Sequence, residues 1–231
     1  MARRGGGEMR RSAPALLFLS ALTLFSCLPF RPAVSPLPPT VESIEGFATF
    51  RMAREGGTVK SKLSFLFRLP GQGRIEVLDP LGRTASILFL DDDVAYLVLP
   101  GRRAYWKSGC EEVMSKLLGF ALGLEDLIHI LTGRGDRLSG WTLEKDSQGR
   151  VVRGRREDLQ FEVRQFFERS PLPRLLVLSR AEDKGSLRVL RMNFNQPLKA
   201  KAFHHFFLDE GGYRPTDWNE VERWLRETAE R

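Results

Sequence analysis

Cysteine and histidine carry most of this chain's potential for nucleophilic or metal chemistry. The chain has two cysteines, Cys27 and Cys110, and three histidines, His129, His204 and His205. Adjacent His204 and His205 would point to opposite sides of a strand, and His129 fits the rim of a predicted helix, so the histidines make a poor metal set. No Gly-x-Ser-x-Gly elbow or phosphate loop occurs. We therefore predict no catalytic residue, no metal site and no cofactor.

Cys27 stands where an N-terminal leader ends. A basic head with four arginines is followed by a short apolar run, Ala13 to Phe25, which is the layout of a secretory signal peptide over residues 1–26. The run is too short to span a bilayer comfortably. Its end, Leu24-Phe25-Ser26-Cys27, resembles a bacterial lipobox, which is cleaved before a cysteine that then carries lipid. We predict covalent lipid on Cys27 as the anchor of the mature chain.

The net charge limits the kinds of molecule that this chain could bind, and the second cysteine, Cys110, limits the disulfides that it could form. The chain has a net charge of +7, of which four arginines and Glu8 in the leader account for +3, which leaves +4 for the mature part. This mild excess comes without a recognisable nucleic-acid motif in a chain predicted to be exported, so we exclude a nucleic-acid role. Cys110 has no disulfide partner once Cys27 is acylated.

A proline-rich segment separates Cys27 from the folded part. Five prolines between Leu28 and Thr40 exclude helix and sheet, so residues 27–40 are predicted to form an extended tether. Residues 41–231 are long enough for one domain with a sizeable core.

Alternating apolar residues predict an antiparallel meander in the first half of this domain. Turn residues at intervals of 8 to 12 residues separate the strands. The predicted strands cover 44–52, 62–68, 75–78, 84–90, 94–99, 104–107, 141–144, 151–156, 159–167, 175–180 and 187–194. Helical spacing predicts two short helices over 111–118 and 124–131, each followed by a glycine, and a last helix from Asp217.

Several strands are apolar on both faces, which a sheet with one solvated face would not require. In 84–90, Ala85, Ile87 and Phe89 alternate with Leu88 and Leu90. A curved, unclosed antiparallel half-barrel with short helices on its concave side would explain this pattern, either as a packed core or as an apolar cavity for acyl chains. The candidate cavity residues are Phe50, Phe65, Phe67, Ile87, Phe89, Leu127 and Leu131.

Three stretches in order resemble the LolB family of outer-membrane lipoprotein receptors and the wider LolA/LolB-like fold. They are Glu45 to Phe50 with the hairpin that follows, Leu78 to Thr84 with its Pro-Leu-Gly loop, and Leu118 to Gly133. The resemblance implies a half-barrel that accepts lipoprotein acyl chains from a soluble, LolA-like periplasmic carrier and places them in the outer membrane. It also implies that Leu81, in the Pro-Leu-Gly loop, is exposed and acts at the membrane.

The resemblance and Cys27 together predict an outer-membrane protein on the periplasmic face. Leu28, rather than aspartate, follows Cys27, which favours outer-membrane sorting in bacteria that resemble the enteric ones. The sequence after Phe194 extends beyond the family pattern, which leaves two alternatives open. The chain could be an envelope-sensing or scaffolding lipoprotein of the same fold, or a lipid-modifying enzyme. A leucine tucked under its own turn is the alternative for Leu81.

Overall fold

The computed structural model describes residues 33–54, 57–181, 183–199, 201–205 and 207–229. The described residues belong to one compact unit that spans 32–231. The predicted signal peptide and Cys27 lie outside the described residues.

One large, curved sheet dominates the described part of the chain. Its path runs β13-β7-β6-β5-β4-β3-β2-β12-β11-β10-β9-β8, and the two ends of this path do not meet, so the sheet is an unclosed barrel as predicted. The strands are β1 (Ala33–Val34), β2 (Ser43–Arg54), β3 (Gly57–Arg68), β4 (Gln72–Leu78), β5 (Thr84–Asp91), β6 (Val94–Leu99), β7 (Ala104–Gly109), β8 (Thr142–Lys145), β9 (Val151–Arg156), β10 (Leu159–Phe166), β11 (Pro173–Arg180), β12 (Asp183–Phe194) and β13 (Arg214–Pro215).

β1 corrects the prediction for the proline-rich segment. Ala33 and Val34 pair in parallel with Arg191 and Met192 of β12. β11 pairs with β12 only as far as Arg188, so the edge of β12 beyond that residue is open to β1. Arg134 also donates hydrogen bonds to the carbonyl oxygens of Pro38 and Pro39 at 3.2 and 2.7 Å. The prediction that this segment takes no part in a sheet is therefore wrong at Ala33 and Val34.

Four helices accompany the sheet in the described residues: α1 (Cys110–Leu118), α2 (Leu124–Thr132), α3 (Phe207–Glu210) and α4 (Trp218–Ala229). α1 and α2 end at Gly119 and Gly133, whose φ angles of 77° and 67° suit glycine, as predicted. Asp217 caps α4, because its carboxylate accepts a hydrogen bond from the backbone N–H of Glu220 at 2.9 Å.

The inner face of the sheet, which α1, α2 and α4 cover, holds the main apolar cluster. Leu88 and Leu90 of β5 point to this face and pack with Phe65, Phe67 and the buried side of α2. Among the α4 side chains whose burial the structure describes, only Val221 is fully buried, whereas Leu225 is 40% exposed.

The C-terminal extension covers the outer face and then passes around the sheet. Leu208 of α3 packs with Ile87, Phe89 and Val98 in a second, smaller apolar cluster. β13 then pairs in parallel with β7 at the sheet edge. Finally, Trp218 of α4 lies 5.0 Å from Trp106 on the inner face, measured between ring centroids. The extension thus holds the β7 edge from both sides.

Candidate functional site

Leu81 lies at the apex of a turn that Asp79 closes. Oδ1 of Asp79 accepts hydrogen bonds from the backbone N–H groups of Leu81 and Arg83, both at 2.9 Å. Oδ2 of Asp79 pairs with Nε of Arg83 at 2.7 Å. Gly82 takes a φ of 80°, a left-handed conformation that favours glycine. The side chain of Leu81 is 78% exposed, so it is not tucked under its own turn.

The ion pair between Asp79 and Arg83 stabilises this turn in addition to its hydrogen bonds. The backbone N–H of Arg83 and then its guanidinium lower the pKa of Asp79 from its ordinary value. Asp79 is therefore ionised at neutral pH and keeps both backbone N–H groups satisfied. The turn presents an apolar side chain to solvent on a defined backbone.

The residues 146–150 repeat this turn between β8 and β9. Oδ1 of Asp146 accepts from the N–H groups of Gln148 and Arg150 at 2.9 and 3.0 Å, and Oδ2 accepts from Nε of Arg150 at 2.8 Å. Gly149 has a φ of 77°. Both turns read Asp-x-x-Gly-Arg, but an exposed glutamine takes the place of Leu81. The second turn was not predicted, although the repeated motif Asp-x-x-Gly-Arg marks it in the sequence.

Leu81 belongs to one end of the strands, which we call the hairpin edge. Here β2 ends and β3 begins, and residues 79–83 and 100–103 connect β4 to β5 and β6 to β7. Leu78 pairs with Lys62, so the turn that follows extends past Lys62 toward Val59, which is 51% exposed. On the inner face near this edge, Phe50, Leu63 and Leu187 are only half-buried. Apolar surface therefore reaches solvent at the hairpin edge.

The seven candidate cavity residues divide between the two faces of the sheet. Phe65, Phe67, Leu127 and Leu131 are buried in the inner cluster. Phe50 lies on the same face, because it is two positions from both Ala48 and Met52 along β2, and these two residues are buried on the inner face. Ile87 and Phe89 lie in the outer cluster instead, and the prediction that they share one cavity with the others is wrong. The parity of β5 places them opposite Leu88 and Leu90.

A groove of about 400 Å³ lies on the outer face of β12, β2, β3 and β4. Its walls carry the charged side chains of Glu45, Arg74, Glu76 and Arg191 beside the apolar residues Phe47, Phe65 and Leu66. Arg74 pairs with Glu76 at 2.6 Å and donates to the carbonyl oxygen of Ala202 at 3.1 Å. The mixed charge of this groove does not suit an acyl chain.

The histidines do not come together in the structure. His129 lies on α2, where burial lowers the pKa of its imidazole. His204 and His205 lie outside strands, and His205 stacks on Tyr96 at 4.2 Å between ring centroids. Within the described ranges, no three metal-binding side chains of the types His, Cys, Asp and Glu converge.

Cys110 is the first residue of α1 and is buried. Burial raises the pKa of its thiol, which keeps it protonated and unreactive at neutral pH.

Among the described helices, none has the length and apolar character needed to traverse a bilayer.

Together, the unclosed half-barrel, the helix-covered apolar face and the exposed leucine on a clamped turn define a protein of the LolA/LolB-like fold class. The profile of the family described as outer membrane lipoprotein LolB matches residues 50–196, more than half of the chain. The chain belongs to the LolB family. A comparison with curated proteins finds no match.

Solved structures support the same fold. A LolA superfamily protein from Nitrosomonas europaea has a TM-score of 0.52 at 10% identity, over 74% of this chain and 93% of the other. A putative outer membrane lipoprotein-sorting protein domain from Vibrio parahaemolyticus also has a TM-score of 0.52 at 10% identity, over 74% and 92%. A DUF1329 family protein from Desulfovibrio piger gives 0.52 at 12% identity, over 74% and 92%. At these identities the likeness establishes the fold alone.

Proposed function

We propose that the mature chain is a lipid-anchored protein of the outer membrane, on its periplasmic face, that accepts lipoproteins from a soluble LolA-like carrier and inserts them into the membrane. It acts by binding acyl chains and not by catalysis. The observation that carries this proposal is Leu81, which is 78% exposed on a clamped turn in a chain of the LolB family.

The anchor is the lipid on Cys27. Five residues separate Cys27 from Ala33, and the six Cα-to-Cα steps between them span at most roughly 20 Å. The lipid therefore keeps the domain close to the bilayer, closer than a free tether that ends at Thr40 would. Intact-mass analysis of the mature protein should give a chain that starts at an acylated Cys27. An unmodified Cys27, or cleavage elsewhere, would overturn the anchor.

Acyl chains bind on the inner face and enter at the hairpin edge. The half-buried side chains of Phe50, Leu63 and Leu187 offer apolar surface there, next to the turn that carries Leu81. Each methylene that leaves water gains about 0.8 kcal/mol, so a chain gains several kcal/mol even when its fit is imperfect. Imperfect fit suits transfer, because the cargo must leave again for a bilayer without nucleotide energy.

Leu81 brings this entrance to the membrane. Burial of one leucine contributes about 1.5–3 kcal/mol, which biases docking but cannot anchor the protein. Such a contact is transient by its magnitude, whereas Cys27 supplies the lasting attachment. The two residues thus have separate tasks in the proposed function.

Tryptophan fluorescence tests where an acyl chain binds. The chain has four tryptophans, and Trp106, Trp141, Trp218 and Trp224 all belong to the inner cluster or pack against it. A brominated fatty acid that enters this face should quench their emission, whereas the unbrominated chain should not. We expect saturable quenching that Phe50→Asn weakens by about tenfold, the size expected when one good apolar contact of about 1.4 kcal/mol is lost.

Phe47→Asn is the matched control. Phe47 lies on the same strand but on the outer face, where it is 47% exposed, so its replacement should leave quenching unchanged. A fatty acid that binds without quenching would place the site elsewhere. Absence of binding by the correctly folded protein would favour the scaffolding alternative over transfer.

A further inference from the structure

A patch of basic residues lies on the outer face of the sheet at the hairpin edge. It consists of Arg51 on β2, Lys60 and Lys62 on β3, and Lys184 on β12, and all four side chains are exposed. Between Glu45 and Glu76 the sequence contains six basic residues and a single acidic one, Glu55. The proposed function so far makes no use of this charge.

The strand register concentrates these charges. Arg51 pairs directly with Lys60, so the two side chains project from neighbouring positions on one face. Lys62 is opposite Thr49, and Lys184 is opposite Ala53 on the other side of β2. Like charges that face each other across a strand pair destabilise a sheet. The fold itself therefore gains nothing from the patch, which indicates a partner of opposite charge.

The patch is continuous with the exposed apolar side chains of the same edge. Lys62 pairs with Leu78, the last residue before the turn of Leu81, and Val59 directly precedes Lys60. Leu81 and Val59 are 78% and 51% exposed. A bilayer surface offers negative headgroups above an apolar layer, which matches basic and apolar side chains at one edge.

The direction of the N-terminal chain agrees with this orientation. β1 runs parallel to β12, and Asp183 at the start of β12 lies at the hairpin edge, so the N-terminal end of β1 points toward that edge. Cys27 stands six positions before Ala33, and an extended chain over six positions spans at most roughly 20 Å, about the length of β12 from Arg191 back to Gly185. A segment of this length does not prevent an anchor at Cys27 from reaching the bilayer that the hairpin edge contacts.

We infer that Arg51, Lys60, Lys62 and Lys184 form a binding surface for anionic phospholipid headgroups, which orients the hairpin edge on the bilayer. This inference rests on the proposed function for the identity of the membrane, but it concerns lipid binding and not cargo transfer. It assigns the outer face of β2 and β3 a task separate from the apolar contact of Leu81.

Vesicle co-sedimentation tests the inference with the mature chain from residue 27 carrying Cys27→Ala, exported on a cleavable leader without a lipobox. The probes are phosphatidylcholine vesicles with and without phosphatidylglycerol. Each basic residue near an anionic surface contributes a factor of about five, so Arg51→Gln/Lys60→Gln/Lys62→Gln should weaken binding to the anionic vesicles about 100-fold. Binding of the unaltered protein should fall as salt rises.

Two matched variants complete the test. Lys145→Gln/Arg164→Gln/Lys201→Gln removes three exposed basic residues away from this edge and should bind as the parent does. Arg51→Lys/Lys60→Arg/Lys62→Arg keeps the charge and should retain binding. The inference is overturned if the neutralised patch binds anionic vesicles as tightly as the first control, or if the parent protein shows no preference for them. Lipoprotein transfer is scored separately, so its failure would count against the proposed function alone.

Discussion

Two turns of this protein share one construction but differ at their apex. In 79–83 and in 146–150, an aspartate accepts hydrogen bonds from two backbone N–H groups and forms an ion pair with the arginine that ends the turn. In both turns a glycine has a left-handed φ angle. The first turn carries Leu81 at the hairpin edge, and the second carries Gln148 at the opposite end of the strands.

The comparison separates what the turn needs from what the apex does. Asp79, Gly82 and Arg83 are sufficient to form the turn, because Asp146, Gly149 and Arg150 form it with a polar apex. Leu81 therefore contributes little to the fold, and its exposed position at the hairpin edge requires another explanation. Contact with a membrane supplies one.

The glycines give the largest expected change in stability. Gly82→Ala and Gly149→Ala should each lower the free energy of unfolding by about 1–2 kcal/mol, because a Cβ is strained at positive φ. A Cβ added at either glycine would meet no heavy atom within 4 Å beyond its chain neighbours, so strain alone decides the cost and the two values should agree. Denaturant unfolding measures both, and a large inequality would show that the turns are not equivalent.

The aspartates make a pH-dependent contribution at both turns. The pKa of Asp79 is lowered by the Arg83 backbone N–H and guanidinium, and that of Asp146 by the guanidinium and backbone N–H of Arg150. Their stabilisation is present above the unfolded pKa, near about 3.9, and is lost as pH falls through the lower folded values. NMR titration should give both carboxyl groups a pKa below the ordinary range of aspartate. A normal pKa at Asp79 alone would mean that its turn opens in solution.

The smallest expected change comes from exchange of the two apex residues. Leu81→Gln and Gln148→Leu should each change the free energy of unfolding by less than about 0.5 kcal/mol, since both positions are exposed. Thermal unfolding of the two variants provides the comparison. A clear loss of stability in Leu81→Gln would identify Leu81 as a packing residue.

The sheet was largely predictable because its signals are local. Strand alternation, turn residues and the glycines after α1 and α2 all act within a few residues, and the strands of the meander and both helices are confirmed. β1 was not predictable, because its pairing depends on an edge of β12 that β11 leaves open. Its partner lies more than 150 residues away along the chain.

The site was predictable in part for the same reason. Leu81 is fixed by its own turn, so its exposure followed from a local motif and the family resemblance. Ile87 and Phe89 were assigned to the wrong face because alternation shows that β5 has two apolar faces but not what covers each. The C-terminal extension supplies the second cover through Leu208, and no local pattern near β5 indicates that.

Delivery of a lipoprotein from a LolA-like carrier into liposomes tests the central claim most directly. The acylated protein should catalyse no chemical change but should speed the appearance of cargo in the vesicle fraction. Leu81→Glu should abolish this delivery while acyl-chain quenching and thermal stability remain intact, because burial of a charge replaces an apolar gain of about 1.5–3 kcal/mol. Gln148→Glu, at the equivalent apex, should deliver cargo as the parent does. Equal delivery by Leu81→Glu and Gln148→Glu would contradict the account.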